Sequence, residues 1–511
     1  MKRIFALCLV LALLAGCAPA PSAPSSGAPA SSQTVQEPPA PTFAVGVLDT
    51  VQWSGYGTGS NGGDAYYELA VLAENAAGPD GLPGRVSMLL RTDYATLTQA
   101  PLCSVPGCGH SDAACPAYIE GNNVAVAAIG GNVYLMGSVY GTWFVQNAAS
   151  SAAAAYIDVV DASGARRKRV MEFPQGWEVY SDSFSYTDGG ALYGSYYDHS
   201  ENVSGGVRVD LATGEYTVFE TGGDSILGVS GSSFLMRHYE YPLDDGVYPG
   251  VAVGEAEQVR GQQMDEWLVQ YDLAAGTRMR LGSPQMDWYG EYDGYGYLGG
   301  MYVRDGKLYQ MFIQDDDGDA SLKTLLERDI FNGTQRALAS FRPSASVPWL
   351  DFGLHDILPA CCGEQEPYLW AGAFSTSGAG CVPAYLIDVR DGQLREVLLR
   401  AEEPYTGGET AALPLARTNG GLWLVPLAAM EDPWGGMRRS YALAAPETVF
   451  AGSGELQYIR MWTPSDLCNG MIFGRGGALR RQYADDGGLW SFPHRPLFFL
   501  SFRCLALCLV V

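Results

Sequence analysis

Two short motifs that recur along the chain predict an all-β protein, a β-propeller of seven or eight four-stranded antiparallel blades. One motif is a Gly or Asn-Gly turn followed by an apolar and an aromatic residue. The other is a strand that ends in a turn of the form Asp-x-x-x-Gly or close to it. Helical periodicity is scarce, and the best helix candidate, 321–328, is equally compatible with a strand. The resulting unit of four strands repeats about every 40 to 60 residues, a spacing typical of propeller blades.

The first motif has a mechanical basis in tight hairpins. Gly or Asn-Gly supplies the positive φ that such turns need, and the apolar and aromatic pair that follows packs between sheets. The motif occurs at Gly131–Tyr134, Gly190–Tyr193, Gly306–Tyr309 and Gly421–Trp423, with looser copies at Gly231–Phe234 and Asn469–Phe473.

The second motif combines a capping side chain with a permissive backbone. The Asp side chain accepts hydrogen bonds from amides of the turn, while Gly takes the left-handed conformation. It occurs at Asp158–Gly164, Asp210–Gly214, Asp272–Gly276, Asp329–Gly333 and Asp388–Gly392.

The motifs divide the body of the chain, 42–495, into approximate blades. The units span 45–100, 123–170, 185–221, 226–282, 298–342, 350–400 and 417–452, and an incomplete unit at 456–490 would close the ring against the first. An irregular pair of β-sandwiches with similar hairpins is the alternative architecture.

The N-terminus carries the pattern of a bacterial lipoprotein signal, residues 1–16. Lys2 and Arg3 precede an apolar run, and small residues follow it directly before Cys17. Cleavage there would make Cys17 the new N-terminus, with a diacylglycerol on its sulfur and fatty acyl chains such as palmitate. A plain signal peptide with an incidental cysteine is the alternative.

The segment 17–41 is predicted to be a disordered linker. Beyond Cys17 it consists almost entirely of Ala, Pro, Ser, Gly, Gln and Thr, with Glu37 as its only charge. Such a composition cannot bury enough apolar surface to offset the entropy of ordering. With two or more acyl chains on Cys17, we expect a body held at the extracytoplasmic face of the bacterial cell membrane.

The charge balance argues against nucleic acid as a partner. The chain has 56 acidic and 31 basic residues and a net charge of −25, so its surface should repel phosphate backbones. The expected partners are the membrane, through the lipid, and a protein or carbohydrate ligand.

The strongest local cluster is a Gly- and Pro-rich loop with the spacing Cys-x4-Cys-x-His-x4-Cys. Three thiolates and one imidazole form the ligand set that a tetrahedral structural zinc ion prefers, and four protein ligands leave no open position for catalysis. A disulfide from Cys103 to Cys115 or Cys108, with His110 as a bystander, is the alternative, and unliganded thiols are a third. The predicted ligands are Cys103, Cys108, His110 and Cys115.

An acidic stretch offers a weaker candidate for calcium. Asp315, Asp317 and Asp319 alternate around Gly318, as in the first half of an EF-hand loop. The distal glutamate of that loop is missing, so a solvated hairpin tip is the favoured interpretation.

Eleven cysteines also bear on the disulfide question. Cys8 leaves with the signal and Cys17 carries lipid, so an odd number remains and at least one thiol is free or bound to something other than sulfur. The apolar tail 496–511 is too short and too interrupted for a membrane span. It is either a closing strand or a non-native tail.

The repeats resemble those of bacterial β-propellers of the quinoprotein-like and TolB-like kind, many of which are lipoproteins. The Cys-rich segment around His110 is similar to a loop of propeller lipoproteins from anaerobic Gram-positive bacteria. These resemblances imply a fold and a location. They imply no reaction, since the repeats lack the tryptophan docking motif of quinoprotein dehydrogenases.

The sequence favours a non-catalytic binding or scaffold module, because it carries no nucleophile elbow, metalloprotease helix or phosphate loop. The alternative is a carbohydrate-active hydrolase or lyase with carboxylates at the propeller funnel. Two carboxylates with a His or Tyr at the channel mouth would favour that enzyme. A third interpretation, a partner in an envelope assembly, would require an exposed apolar patch on a blade edge.

Overall fold

The computed structural model describes most of the body of the chain between residues 43 and 462. The described residues are 43–51, 53, 59–77, 83–121, 124–137, 154–180, 184–222, 224–240, 265–281, 296–304, 306–314, 322–342, 357–359, 368–371, 384–400, 409–411, 414–431 and 437–462.

Within these residues the chain forms seven antiparallel sheets, the blades of a β-propeller, which confirms the predicted fold class. Ahead of the first blade lies β1 (Asp49–Thr50). Blade 1 contains β2 (Gly59–Asn61), β3 (Ala65–Ala77), β4 (Pro83–Asp93), β5 (Thr98–Pro101) and β6 (Tyr118–Glu120). Blade 2 contains β7 (Val124–Ile129), β8 (Asn132–Gly137), β9 (Tyr156–Val160) and β10 (Arg167–Glu172). Blade 3 contains β11 (Trp177–Glu178), β12 (Tyr186–Thr187), β13 (Ala191–Asp198), β14 (Val203–Asp210) and β15 (Tyr216–Phe219).

The second half of the ring continues the pattern. Blade 4 contains β16 (Ser225–Ser230), β17 (Ser233–Glu240), β18 (Asp265–Asp272) and β19 (Thr277–Leu281). Blade 5 contains β20 (Gly296–Arg304), β21 (Lys307–Gln314), β22 (Leu322–Asp329) and β23 (Gln335–Phe341). Blade 6 contains β24 (Ile357–Pro359), β25 (Tyr368–Ala371), β26 (Ala384–Asp388), β27 (Leu394–Arg400) and β28 (Glu409–Ala411). Blade 7 contains β29 (Ala416–Arg417), β30 (Trp423–Glu431), β31 (Met437–Ala444) and β32 (Gln457–Tyr458).

Helix is almost absent from the described residues. The segment 321–328, equally compatible with a helix from its sequence, is strand β22. One short helix, α1 (Pro446–Ala451), connects β31 to β32. No helix among the described residues has the length and apolarity that a membrane crossing requires.

The apolar and aromatic pair of the first motif packs as predicted, with one residue on each face of its blade. Leu192 and Tyr193 are both fully buried in β13. Leu192 joins a cluster with side chains of blade 2, such as Ile157, whereas Tyr193 joins one with Phe234 of blade 4. Successive residues of a strand point to opposite faces, so this pair ties a blade to both of its neighbours.

The Asp-x-x-x-Gly turns also form as predicted, between the third and fourth strands of a blade. In blade 3, Asp210 Oδ1 accepts hydrogen bonds from the amides of Ala212 (3.1 Å) and Thr213 (3.0 Å). Gly214 closes the turn with a φ of 76°. Asp272 and Asp329 make the same pair of bonds in blades 4 and 5.

The first strand of the body lies in a different blade from the one that the sequence suggested. The repeat pattern placed the chain from residue 45 onward in the first unit, but β1 pairs with β12 at the inner edge of blade 3. Leu48 is buried in the cluster between blades 3 and 4, and its amide donates to the carbonyl of Gly231 at 2.8 Å. Because the first strand of blade 1, β2, contacts the first strands of both neighbouring blades, β7 and β29, the inner edges face the axis. Strand β1 therefore lies on the axial side of blade 3.

The described strands of blade 7 all come from 416–458, so blades 7 and 1 are separate sheets. Hydrogen bonds between the two sheets join the blades. Arg460 donates its amide to the carbonyl of Leu97 (2.8 Å) and accepts from the amide of Gln99 (2.9 Å). The side chain of Asn61 donates to the carbonyl of Arg417 at 2.8 Å. Of the eighth unit suggested by the sequence, 456–490, residues 457–458 form the outer strand of blade 7, and those from 463 onward lie outside the described residues.

Candidate metal centre

The cysteine- and histidine-rich loop is an insertion in the outer strand of blade 1. Strands β5 and β6 both pair with β4, in the same direction and one after the other. Between them, Leu89 of β4 accepts a hydrogen bond from the amide of Leu102 (2.9 Å) and donates to the carbonyl of Ala117 (2.8 Å). The ladder therefore continues across the break, while 103–116 leave the sheet and return.

The loop brings the four predicted ligands together. The Sγ atoms of the three cysteines and a ring nitrogen of His110 all lie within 4.8 Å of one another. His110 Nδ1 is 3.2 Å from Cys115 Sγ, and all three thiols are free. In tetrahedral zinc sites with Zn–S bonds of about 2.3 Å, sulfur atoms lie about 3.8 Å apart. A small contraction of the cluster would therefore suffice to enclose an ion.

Two tight turns place cysteines in this cluster. In the first turn Pro106 and Gly107 occupy the central positions, and the amide of Cys108 donates to the carbonyl of Val105 at 3.2 Å. Gly107 has a φ of 70°, as the third position of a type II turn requires. In the second turn the amide of Cys115 donates to the carbonyl of Asp112 at 3.0 Å. Local turns thus set the positions of both Cys108 and Cys115 in the cluster.

Burial sets the protonation of the ligands. Cys115 is 1% exposed in the core between blades 1 and 2, and Cys103 and Cys108 pack against that core. Burial, together with the neighbouring thiols, raises the pKa of Cys115 to about 12, and burial also raises the pKa of Cys103. Since a thiolate is the reactive form of cysteine, these thiols are poorly suited to nucleophilic catalysis.

The imidazole of the cluster is suited to act as a ligand. Burial lowers the pKa of His110, so the ring is neutral at neutral pH and keeps a lone pair. Its Nδ1 points toward the sulfur atoms. The backbone of His110 has a φ of 50°, a left-handed conformation that is uncommon for a residue with a side chain.

The insertion lies against the next blade. The amide of Ser104 donates to the carbonyl of Gly164, in the Asp161–Gly164 turn of blade 2, at 3.0 Å. Arg167 of β10 donates to the carbonyl of Tyr118 at 2.7 Å. The candidate metal centre therefore lies at the outer edge of the ring, between blades 1 and 2.

Other residues singled out in the sequence lie outside the described residues. These are Cys17, the remaining cysteines at 361, 362, 381, 468, 504 and 508, and the calcium candidates Asp315, Asp317 and Asp319. The strands that flank the acidic stretch, β21 and β22, pair as an antiparallel hairpin.

Two carboxylate–histidine pairs were not predicted from the sequence. The side chain of Asp224 is 2% exposed and lies 2.7 Å from Nδ1 of His238, whose side chain is 33% exposed. Arg278 contributes a second contact to Asp224 at 3.3 Å. Glu178 pairs with Nε2 of His199 in blade 3. The partners are 14 residues apart in the first pair and 21 in the second, so no short motif in the sequence predicts either pair.

Comparisons with known proteins match the fold alone. No protein family model matches the chain, and neither does any curated protein. An oligogalacturonate lyase in complex with manganese is 14% identical over 80% of this chain and 100% of its own, with a TM-score of 0.39. The oligogalacturonate lyase of Vibrio parahaemolyticus is 10% identical over 80% and 100%, also with a TM-score of 0.39. The β-propeller domain of the Trilobed protease from Pyrococcus furiosus is 9% identical over 83% and 99%, with the same TM-score of 0.39.

Proposed function

We propose that this protein is a lipid-anchored, extracytoplasmic β-propeller that acts as a non-catalytic binding or scaffold module, with a structural zinc ion in its first blade. The observation that carries the zinc proposal is the grouping of three thiols and one imidazole, with ligand atoms within 4.8 Å of one another. Thiolate sulfur and imidazole nitrogen are the ligand types that zinc prefers. The three cysteines and the histidine complete its four-coordinate shell without a carboxylate.

The centre would act as a staple. Cys103 and Cys115 lie next to the two points where the chain leaves and rejoins the sheet, so one ion would tie both ends of the insertion. Four protein ligands fill a tetrahedral zinc ion and leave no position for water or substrate. This argues for a structural role of the metal.

The position of β1 supports the non-catalytic interpretation of the body. The strand adds to the inner edge of blade 3 and also contacts β16 of blade 4. It therefore takes up space on the axial side of two blades, where a substrate funnel would otherwise open. The ligand class remains a protein or a carbohydrate, bound by loops at a face of the propeller.

The zinc proposal is tested by elemental analysis of the full-length chain, expressed with its own leader and purified in detergent under reducing conditions. About one zinc ion per chain is expected for tetrahedral ligation by this loop. The Cys108→Ser variant should lose it, whereas Cys381→Ser, outside the loop, should keep it. Absence of metal from the wild-type chain would overturn the proposal, and a disulfide inside the loop after purification without reductant would identify the alternative.

The lipid anchor is tested with two cysteine variants of the leader. Cys17→Ala should release the protein from the membrane fraction and abolish incorporation of labelled palmitate, because the acceptor sulfur is lost. Cys8→Ala removes a cysteine within the apolar run and should leave both properties unchanged. A Cys17→Ala protein that still carries palmitate would refute the assignment.

The binding role is tested with a panel of cell-envelope oligosaccharides and proteins. Binding without any change in the saccharide would support the module. Release of shortened or unsaturated products would instead establish the carbohydrate-active enzyme.

A further inference from the structure

Two glycines of the Asp-x-x-x-Gly turns, in blades 3 and 6, lie in close contact with the preceding blade, whereas Gly333 of blade 5 has only Arg328 of its own blade nearby. A methyl group on Gly214 of blade 3 would lie 2.1 Å from the carbonyl oxygen of Val170, in the outer strand of blade 2. The same substitution at Gly392 of blade 6 would place the methyl 2.0 Å from the carbonyl oxygen of Leu338, in the outer strand of blade 5. These two turns thus serve as joints between neighbouring blades, because the contact leaves no room for a side chain.

In blade 2 the corresponding turn, which ends at Gly164, contacts the loop that carries the candidate metal ligands. A methyl group on Gly164 would lie 2.6 Å from the carbonyl carbon of Leu102 and 2.7 Å from the amide nitrogen of Cys103. The carbonyl of Gly164 also accepts the amide of Ser104 at 3.0 Å. The backbone on both sides of the Cys103 side chain is therefore held by a turn of another blade.

We propose that Gly164 is a positioning residue of the metal centre, through which a turn of blade 2 holds the backbone of Cys103 in place for ligation. This inference rests on the proposed zinc site. The joint fixes the backbone of Cys103, and the ion in turn fixes Cys103 to Cys108, His110 and Cys115. Displacement of the Gly164 turn would therefore move Cys103 away from the other three ligands.

The turn itself is held in shape by Asp161. Its Oδ1 accepts hydrogen bonds from the amides of Ser163 and Ala165, both at 3.1 Å, and its Oδ2 accepts from Arg166 at 3.0 Å. Asp161 touches no ligand in these bonds. Loss of its side chain would loosen the joint without adding an atom to the interface.

The test compares matched turns in adjacent blades. Gly164→Ala and Gly214→Ala each add a methyl at a positive φ and against the backbone of the preceding blade, but only the first touches the metal loop. Zinc affinity of the full chain is measured by competition with a chelator. The absorption spectrum of bound Co²⁺ reports the ligand geometry.

We expect Gly164→Ala to bind zinc about 10- to 100-fold more weakly, the range found for residues that orient metal ligands. Its Co²⁺ spectrum should also be altered. Gly214→Ala should lower thermal stability while its zinc affinity and Co²⁺ spectrum stay at the wild-type level. Equal zinc affinity in both variants would overturn the inference.

A second pair of variants keeps the test valid if Gly164→Ala does not fold. Asp161→Ala should weaken zinc binding, whereas Asp210→Ala, its counterpart in blade 3, should leave zinc binding unchanged. Equal affinity in this pair would also refute the positioning role. A wild-type chain that binds no zinc would instead refute the proposed metal centre, so the two failures are distinguishable.

Discussion

The hydroxyl of Tyr441 donates a hydrogen bond to Oε2 of Glu68 at 2.7 Å, joining β31 of the last blade to β3 of the first. The same carboxylate accepts from the side chain of Gln99 through Oε1. Both oxygens of Glu68 are thus engaged where the ring closes. Because the described blades 7 and 1 share no strand, such contacts carry the closure.

Loss of the hydrogen bond between Tyr441 and Glu68 should destabilise the closed propeller. Tyr441→Phe keeps the buried ring but leaves the carboxylate short of a donor, so we expect a loss of about 1.5 to 3 kcal/mol in the free energy of unfolding. Denaturant unfolding measures the change. Tyr216→Phe, at a tyrosine that is 43% exposed in blade 3, should change stability by less than about 0.5 kcal/mol. Equal effects of the two substitutions would argue against a role of Glu68 in closure.

The position of β1 can be tested with two neighbouring side chains. Leu48 is 3% exposed and Val47 is 78% exposed. Leu48→Ala should cost about 2 to 5 kcal/mol, as for other buried leucines, whereas Val47→Ala should be nearly neutral. Thermal or denaturant unfolding of both variants gives the comparison. A neutral Leu48→Ala would mean that β1 does not dock on blade 3.

Removal of the metal should expose the thiols in a defined order. We expect a strong chelator to make Cys103 and Cys108 reactive toward a thiol-alkylating reagent, because both are partly exposed. Cys115 should react more slowly, since it is buried and its pKa is raised to about 12. Peptide mass spectrometry of 103–115 resolves the three sites. Equal reactivity with and without chelator would contradict metal ligation.

The Asp-x-x-x-Gly turns make stability dependent on acid. Hydrogen bonds from the backbone of Thr213 hold the pKa of Asp210 below its ordinary value of 3.8, and the guanidinium of Arg390 does the same for the pKa of Asp388. A carboxyl whose pKa is lower in the folded state stabilises the fold above the unfolded pKa. That contribution is lost as the pH falls through the folded pKa.

We therefore expect the melting temperature to drop as the pH falls below about 4. Asp210→Asn keeps an oxygen that can accept the amides but removes the titrating group, so its melting temperature should fall less steeply over the same range. Melting curves of both proteins at several pH values measure the slopes. An identical acid slope in the variant would show that Asp210 does not contribute to the pH dependence.

Several features of this protein follow from local sequence, because the residues that create them are close in the chain. The bonds of the Asp210 turn span a few residues, and Gly214 supplies the backbone conformation that the turn needs. The repetition of such turns predicted the propeller. The grouping of the three thiols and the imidazole was predictable for the same reason, since Cys103 and Cys115 belong to one loop.

Tertiary structure decided how distant segments meet. Strand β1 pairs with Tyr186 and Thr187, and Gly164 packs against Cys103 from another blade. In each case the partners are selected by the packing of whole sheets, and a motif a few residues long carries no information about which sheet will lie beside it. The sequence alone determined the turns, the repeat and the set of candidate ligands, whereas the tertiary structure decided which blade holds the first strand and which blade supports the candidate metal centre.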